Sequence, residues 1–168
     1  MLLASCSIQT SYDFDKTADF SQYKTFSIYQ EGIDQLKVNS LDKKRIVADI
    51  TKQLNAKGLT EVADKGDLTV NVLTSSQKVV DVNQDPYWGW GYPWGWGYGY
   101  GGGTYVSESR VGKLTIHLVD TQKNILVWEG VAQGFNVDNV RNKDEQIYKA
   151  VEKVFYNYPP QIKKQSYY

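Results

Sequence analysis

The sequence predicts an α+β fold, a mainly antiparallel β-sheet with two amphipathic helices packed on one face. Three observations carry this. Segments whose apolar residues alternate with a period of two outnumber those with helical spacing. Most of the alternating segments follow one another across short polar turns, the pattern of hairpins rather than crossovers. Two segments, one central and one near the end, each carry a single apolar stripe at helical spacing, suited to covering a sheet. A chain of 168 residues fits one domain with a usable core.

Residues 8–14 alternate weakly and read as a first strand, followed by a polar connection over residues 15–19. Residues 23–29 are rich in β-formers, with Phe26 and Ile28 on one face and Tyr23, Thr25, Ser27 and Tyr29 on the other. The period changes over residues 41–57, where Ile46, Val47, Ile50 and Leu54 recur at helical spacing. Ser40 is the expected N-cap and Gly58 the expected C-cap, leaving a polar Lys/Asp/Gln outer face. A short extended piece at 59–62 and a turn at 64–67 lead into a long strand over 68–82, with Leu68, Val70 and Val72 on one face.

An extended piece over 104–109 precedes the cleanest strand, 111–120, with Leu114, Ile116 and Leu118 inward and Lys113, Thr115 and His117 outward. Its hairpin partner runs over 125–137, with Ile125, Val127 and Val131 on one face and Trp128 on the other; this hairpin is expected at the centre of the sheet. The last element is a helix with Asp144 and Glu145 in its first turn and a stripe of Ile147, Val151, Val154, Phe155 and Tyr158. Pro159 and Pro160 end it, because neither donates a helical hydrogen bond. Trp128 reads as a packing residue under a helix or at the sheet edge.

Together these segments resemble the DUF4136 family. The resemblance is carried by "YDFD", "FSQYKTFSIY", "KGDLTVNVL" after a helix ending in Lys57-Gly58, and "VGKLTIHLVDTQKNILVWEGVAQG" before a final amphipathic helix. It runs over nearly all of residues 10–160 and is strongest in the hairpin at 112–132. It implies a bacterial envelope lipoprotein of unassigned function, with no established catalytic residues to carry over.

The opening Leu3-Ala4-Ser5-Cys6 resembles a bacterial lipobox, in which the Cys thiol receives diacylglycerol and the chain is cut before it; the plain alternative is a buried or incidental Cys near a frayed terminus. Two or three acyl chains bury many methylenes at roughly 0.8 kcal/mol each, enough for stable anchoring. Five residues precede Cys6, fewer than a full signal peptide needs, so the natural start is expected upstream. No Asp follows the Cys, which points to the outer membrane, lipid-anchored on its periplasmic face. Residues 1–6 then read as the remnant of a signal peptide, 7–160 as one α+β domain with an excursion at 85–104, and 161–168 as a loose tail.

That excursion, "DPYWGWGYPWGWGYGYGGG" at 85–103, holds four of the five Trp. Gly between rings prevents a packed helix and weakens a strand. Trp88, Trp90, Tyr92, Trp94, Trp96, Tyr98 and Tyr100 are the candidate binding residues, with large flat faces suited to an envelope glycan, a membrane interface or a protein partner. The plain alternative is a low-complexity loop, or rings folded back on the domain. No Lys or Arg lies between Asp85 and Val106, and 19 basic residues balance 19 acidic ones, so nucleic acid is not an expected partner.

Other motifs carry little. Asp81-x-Asn83-x-Asp85 imitates the start of a calcium loop but has Pro86 and Tyr92 where Gly and Glu are required. The Gly run is followed by no Gly-Lys-Ser/Thr, so it is no phosphate loop. One Cys and one His, His117, cannot make a four-ligand Cys/His zinc site, and no cofactor or metal is expected. No nucleophile elbow surrounds a Ser, and the paired carboxylates Asp13/Asp15 and Asp138/Asp144 read as turns and caps. No run of 18 apolar residues occurs. The sequence therefore points to a lipid-anchored envelope protein with a non-catalytic binding or scaffolding role. The alternatives are an envelope enzyme, hydrolase-like, with a site not visible in sequence, or a self-associating structural component.

Overall fold

The computed structural model describes residues 8–82, 106–136 and 142–161, with side chains described over 8–76, 112–134 and 142–161. The described chain runs β1 (Gln9–Phe14), a 3-10 turn (Phe20–Gln22), β2 (Thr25–Ile28), α1 (Gln30–Asp34), α2 (Ser40–Ala56), β3 (Thr60–Glu61), β4 (Leu68–Val82), β5 (Val106–Asp120), β6 (Ile125–Asn136) and α3 (Lys143–Phe155). The strands form one six-stranded sheet in the order β1-β6-β5-β4-β2-β3.

The fold is α+β, as the alternation predicts. β4–β5, β5–β6 and β1–β6 are antiparallel. β2 departs from this by pairing in parallel with both β3 and β4. Parallel neighbours need a long crossover, and the stretch holding α1 and α2 supplies it. The extended piece expected at 104–109 and the strand at 111–120 are one strand, β5. The short α1 was not visible in the pattern; its five residues, QEGID, bury only Ile33.

The core lies between the sheet and the helices. Val70 and Val72 of β4 and Leu114, Ile116 and Leu118 of β5 are buried against Ile46, Ile50 and Leu54 of α2 and Ile147, Ala150, Val151 and Val154 of α3. Under the C-terminal half of α3 the core is aromatic. Trp128 stacks on Phe155 at 5.3 Å, and Tyr158 meets both rings edge-on at 5.5 and 6.0 Å. Gly130 opens room for the indole, since a methyl there would run into Trp128 and Val154. Among the described residues no helix is long and apolar enough to cross a membrane.

Two expectations about side-chain placement are corrected. On β6, Trp128 packs under α3, one of the two places expected for it, but Val127, expected on the opposite face, is buried as well at 1% exposure, while Ile125 is 43% exposed. A register shift between Leu118 and Val119 makes Leu126 the partner of Val119 and Trp128 the partner of Leu118. Val127 is the extra residue, so simple alternation fails across it. A second shift, at Gly112/Lys113, leaves Gly134 extra, and its φ of 91° is one that glycine adopts without strain. At the start of α2 the cap is Asn39, whose side chain accepts from the Asp42 N–H; Ser40 is already helical. Gly58, with φ 90°, follows the last turn as expected.

Candidate functional site

A cleft of about 870 Å³ opens on the described surface. Five elements meet there: α1 with the loop after it, the N-terminal turns of α2 and of α3, the middle of β4, and the middle of β5 at residues 112–114. Leu36, Ile46, Val72, Leu114 and Ile147 give an apolar floor. Lys37, Lys113 and Lys143 bring positive charge to the lining.

Asp42 is the cleft's carboxylate and is only 2% exposed. It accepts from Asn39 Nδ2, Arg45 Nη1 and Lys143 Nζ, each at 2.8 Å. Burial pushes its carboxyl up, but the hydrogen bonds and charges of Lys143 and Arg45 outweigh this and hold it below the usual carboxylate range. Arg45 also reaches Asp144 at 3.0 Å. This network ties the first turn of α2 to the first turn of α3. With donors from Asn39, Arg45 and Lys143 on its two oxygens, Asp42 holds the starts of the two helices together.

Two side-chain oxygens in the lining, Thr74 Oγ1 and Gln146 Oε1, are buried without a hydrogen-bond partner among the described residues. Residues 71–76 of β4 run along the cleft. β2 pairs with β4 only at Leu68–Val70, and the Tyr29 N–H donates to the Val70 carbonyl at 2.9 Å. Val70 therefore turns its main-chain groups toward β2. The two-residue period of a strand turns those of Val72, Thr74 and Ser76 the same way, past the end of β2. Asn71 Oδ1 occupies the Val72 N–H at 2.9 Å.

His117 lies elsewhere. It sits on the opposite face of the sheet, where Nε2 is 2.7 Å from Glu129 Oε2 of its cross-strand partner on β6. Neither residue lines the cleft. Asp15 accepts from the Thr17 N–H and hydroxyl, the turn role expected for it. Cys6 and the aromatic residues from Trp88 to Tyr100 lie outside the described residues, as does Asp138.

Sequence patterns missed the cleft because its lining spans Tyr29 to Ala150 and assembles only in the fold. Asp42 in particular read as part of a solvated helix face. The one available signal was Asn39 three residues before Asp42, which resembles a reciprocal cap at a helix start.

Solved structures share this fold. A PDZ domain protein from Parabacteroides distasonis is 16% identical with a TM-score of 0.56, over 90% of this chain and 35% of that one, so this chain spans about a third of that protein. A PelC dodecamer from Paraburkholderia phytofirmans is 12% identical with a TM-score of 0.52, over 89% of this chain and 95% of that one. A second crystal form of PelC gives 13% identity and a TM-score of 0.52, over 89% and 96%. At such identities the likeness is one of fold. No curated protein matches the chain. The family model described as a domain of unknown function, DUF4136, matches residues 10–160, so the chain belongs to the DUF4136 family.

Proposed function

We propose that this chain is a non-catalytic binding or scaffolding protein of the cell envelope. In this reading it is lipid-anchored through Cys6 at the periplasmic face of the outer membrane and makes its contacts through the aromatic segment at 85–104. The observation that carries the reading is the reach of β4 and β5. Their pairing continues to Val82↔Val106, whereas the described pairing of β5 with β6 ends at Val111↔Asn136 and that of β2 with β4 ends at Val70. Among the described residues, 78–82 and 106–110 pair only with each other, over roughly 15 Å at 3.3 Å per residue. The described strands end at Val82 and Val106, the positions between which the aromatic segment lies in the sequence.

The separation of His117–Glu129 from the cleft, and the full pairing of Asp42 within it, favour binding over a hydrolase. Self-association is the second reading, favoured by the fold shared with PelC, a protein that forms a dodecamer.

Two measurements test the proposal. Mass spectrometry of the full-length protein from its host is expected to find acyl mass on Cys6; a bare thiol there overturns the anchoring. Fluorescence titration with peptidoglycan fragments and with lipid vesicles is expected to change the emission of the segment's Trp. No change with either overturns the contact surface. Sedimentation that depends on concentration, and loses that dependence when residues 86–103 are deleted, would instead establish self-association.

A further inference from the structure

We propose that the open edge of β4 inside the cleft is a docking site for an extended, acidic peptide segment of a partner protein, which adds to the sheet as a further strand. The proposal uses no residue of the aromatic segment and is tested independently of it.

The edge is built for addition. Past Val70, no strand among the described residues lies beside β4 on the β2 side. With the Val72 N–H taken by Asn71, the remaining edge groups are the Val72 carbonyl and the N–H and carbonyl of Thr74 and Ser76. An incoming strand placed in line with β2 meets these groups at a spacing of about 7 Å per two residues. Main-chain pairing of this kind supplies affinity, and pockets for alternate side chains supply selectivity. One face of the added strand would rest on the apolar floor of Leu36, Val72 and Leu114. Exposed sheet edges are commonly blunted by a charge, a proline or a bulge. The ladder of β4 with β5 instead runs without a register shift from Leu68 to Val82.

Charge identifies the occupant. Lys37 lines the cleft and Lys113, on the outward face of β5, borders it; both are exposed and have no ion-pair partner among the described residues. The one carboxylate in the lining, Asp42, is already bonded to Arg45 and Lys143. A strand with acidic side chains finds free cations there and no free anion. A basic strand finds neither advantage.

The test uses the full chain and two seven-residue peptides, one alternating Val with Glu and one alternating Val with Lys. Amide hydrogen exchange and NMR titration are the readouts. The acidic peptide is expected to bind, to slow exchange at Thr74 and Ser76, and to weaken as salt rises. Reversing both charges, Lys37→Glu with Lys113→Glu, is expected to weaken it about fivefold, the scale of two exposed ion pairs. Ser76→Pro removes one edge N–H without touching the β5 ladder, and is expected to abolish binding while the melting temperature holds. If Ser76→Pro unfolds the chain, the charge-reversal pair decides. Equal binding of the two peptides overturns the proposal, as does binding without protection at Thr74 and Ser76. Loss of binding on deleting residues 86–103 also overturns it. Protection of those two amides that rises with protein concentration and no peptide would assign the edge to a second copy of this chain, and likewise overturns it.

Discussion

Trp128 shows how much one side chain depends on its surroundings. Its ring is buried between β6 and α3, stacked on Phe155, and its indole N–H has no acceptor among the described residues. Replacing it with Phe therefore forfeits ring area but no hydrogen bond. Trp128→Phe is expected to cost about 1–3 kcal/mol and Trp128→Ala about 3–5 kcal/mol, measured by urea unfolding. A Phe variant as damaging as the Ala variant would mean that the N–H has a partner. Trp128→Phe also leaves Trp88, Trp90, Trp94 and Trp96 as the sole tryptophans, so all remaining tryptophan emission reports on the aromatic segment. Burial of Trp128 was legible as packing, but the face it takes was not. That face follows from Val127 being the extra residue at a register shift, and a bulge leaves no mark on hydrophobic spacing.

Among the elements, α2 and α3 were the plainest in the sequence, because a 3.6-residue stripe repeats over several turns. Their ends were less plain. Ser40 and Asn39 are both good cap residues, and adjacent candidates differ only in which side chain reaches the second N–H beyond the start of the helix. Asn39 does so, accepting from Asp42 N at 2.9 Å while donating to the Asp42 carboxylate. Asn39→Ala is expected to lower stability by about 1 kcal/mol, and Ser40→Ala to change it by less than about 0.5 kcal/mol. Thermal unfolding of the two variants side by side checks this, and a larger loss for Ser40→Ala would restore Ser40 as the cap. The pairing of β2 is the opposite case. Its residues were recognisably a strand, yet nothing local distinguishes a parallel neighbour from an antiparallel one. The crossover through α2 decides it.

At the scale of the whole molecule, several carboxylates are held below their usual range by contacts that exist only when the chain is folded. Hydrogen bonds from the Lys24 and Thr25 N–H groups hold Asp67 down, and the Lys123 N–H does the same for Asp120. In Asp42, burial is outweighed by Lys143 and Arg45. A carboxyl with a depressed folded pKa contributes stability above its unfolded value, about 3.9, and loses it as the pH falls through the folded value. Stability is therefore expected to hold between pH 5 and 7 and to drain below about pH 4, followed by circular dichroism during thermal unfolding. Asp42→Asn is expected to cost about 1–3 kcal/mol at pH 7, because it leaves Lys143 and Arg45 without their shared anion, and to flatten the acid limb. An unchanged acid limb would show that Asp42 is not part of it. Sequence alone determined the fold class, the core stripes of α2, α3, β4 and β5, and the family, because period and order are properties of neighbouring residues. Tertiary structure alone decided the parallel place of β2, the face of Trp128, the burial of Asp42 and the cleft with its open β4 edge. Each of these depends on which distant segments come to lie side by side, and spacing along one segment carries no record of that.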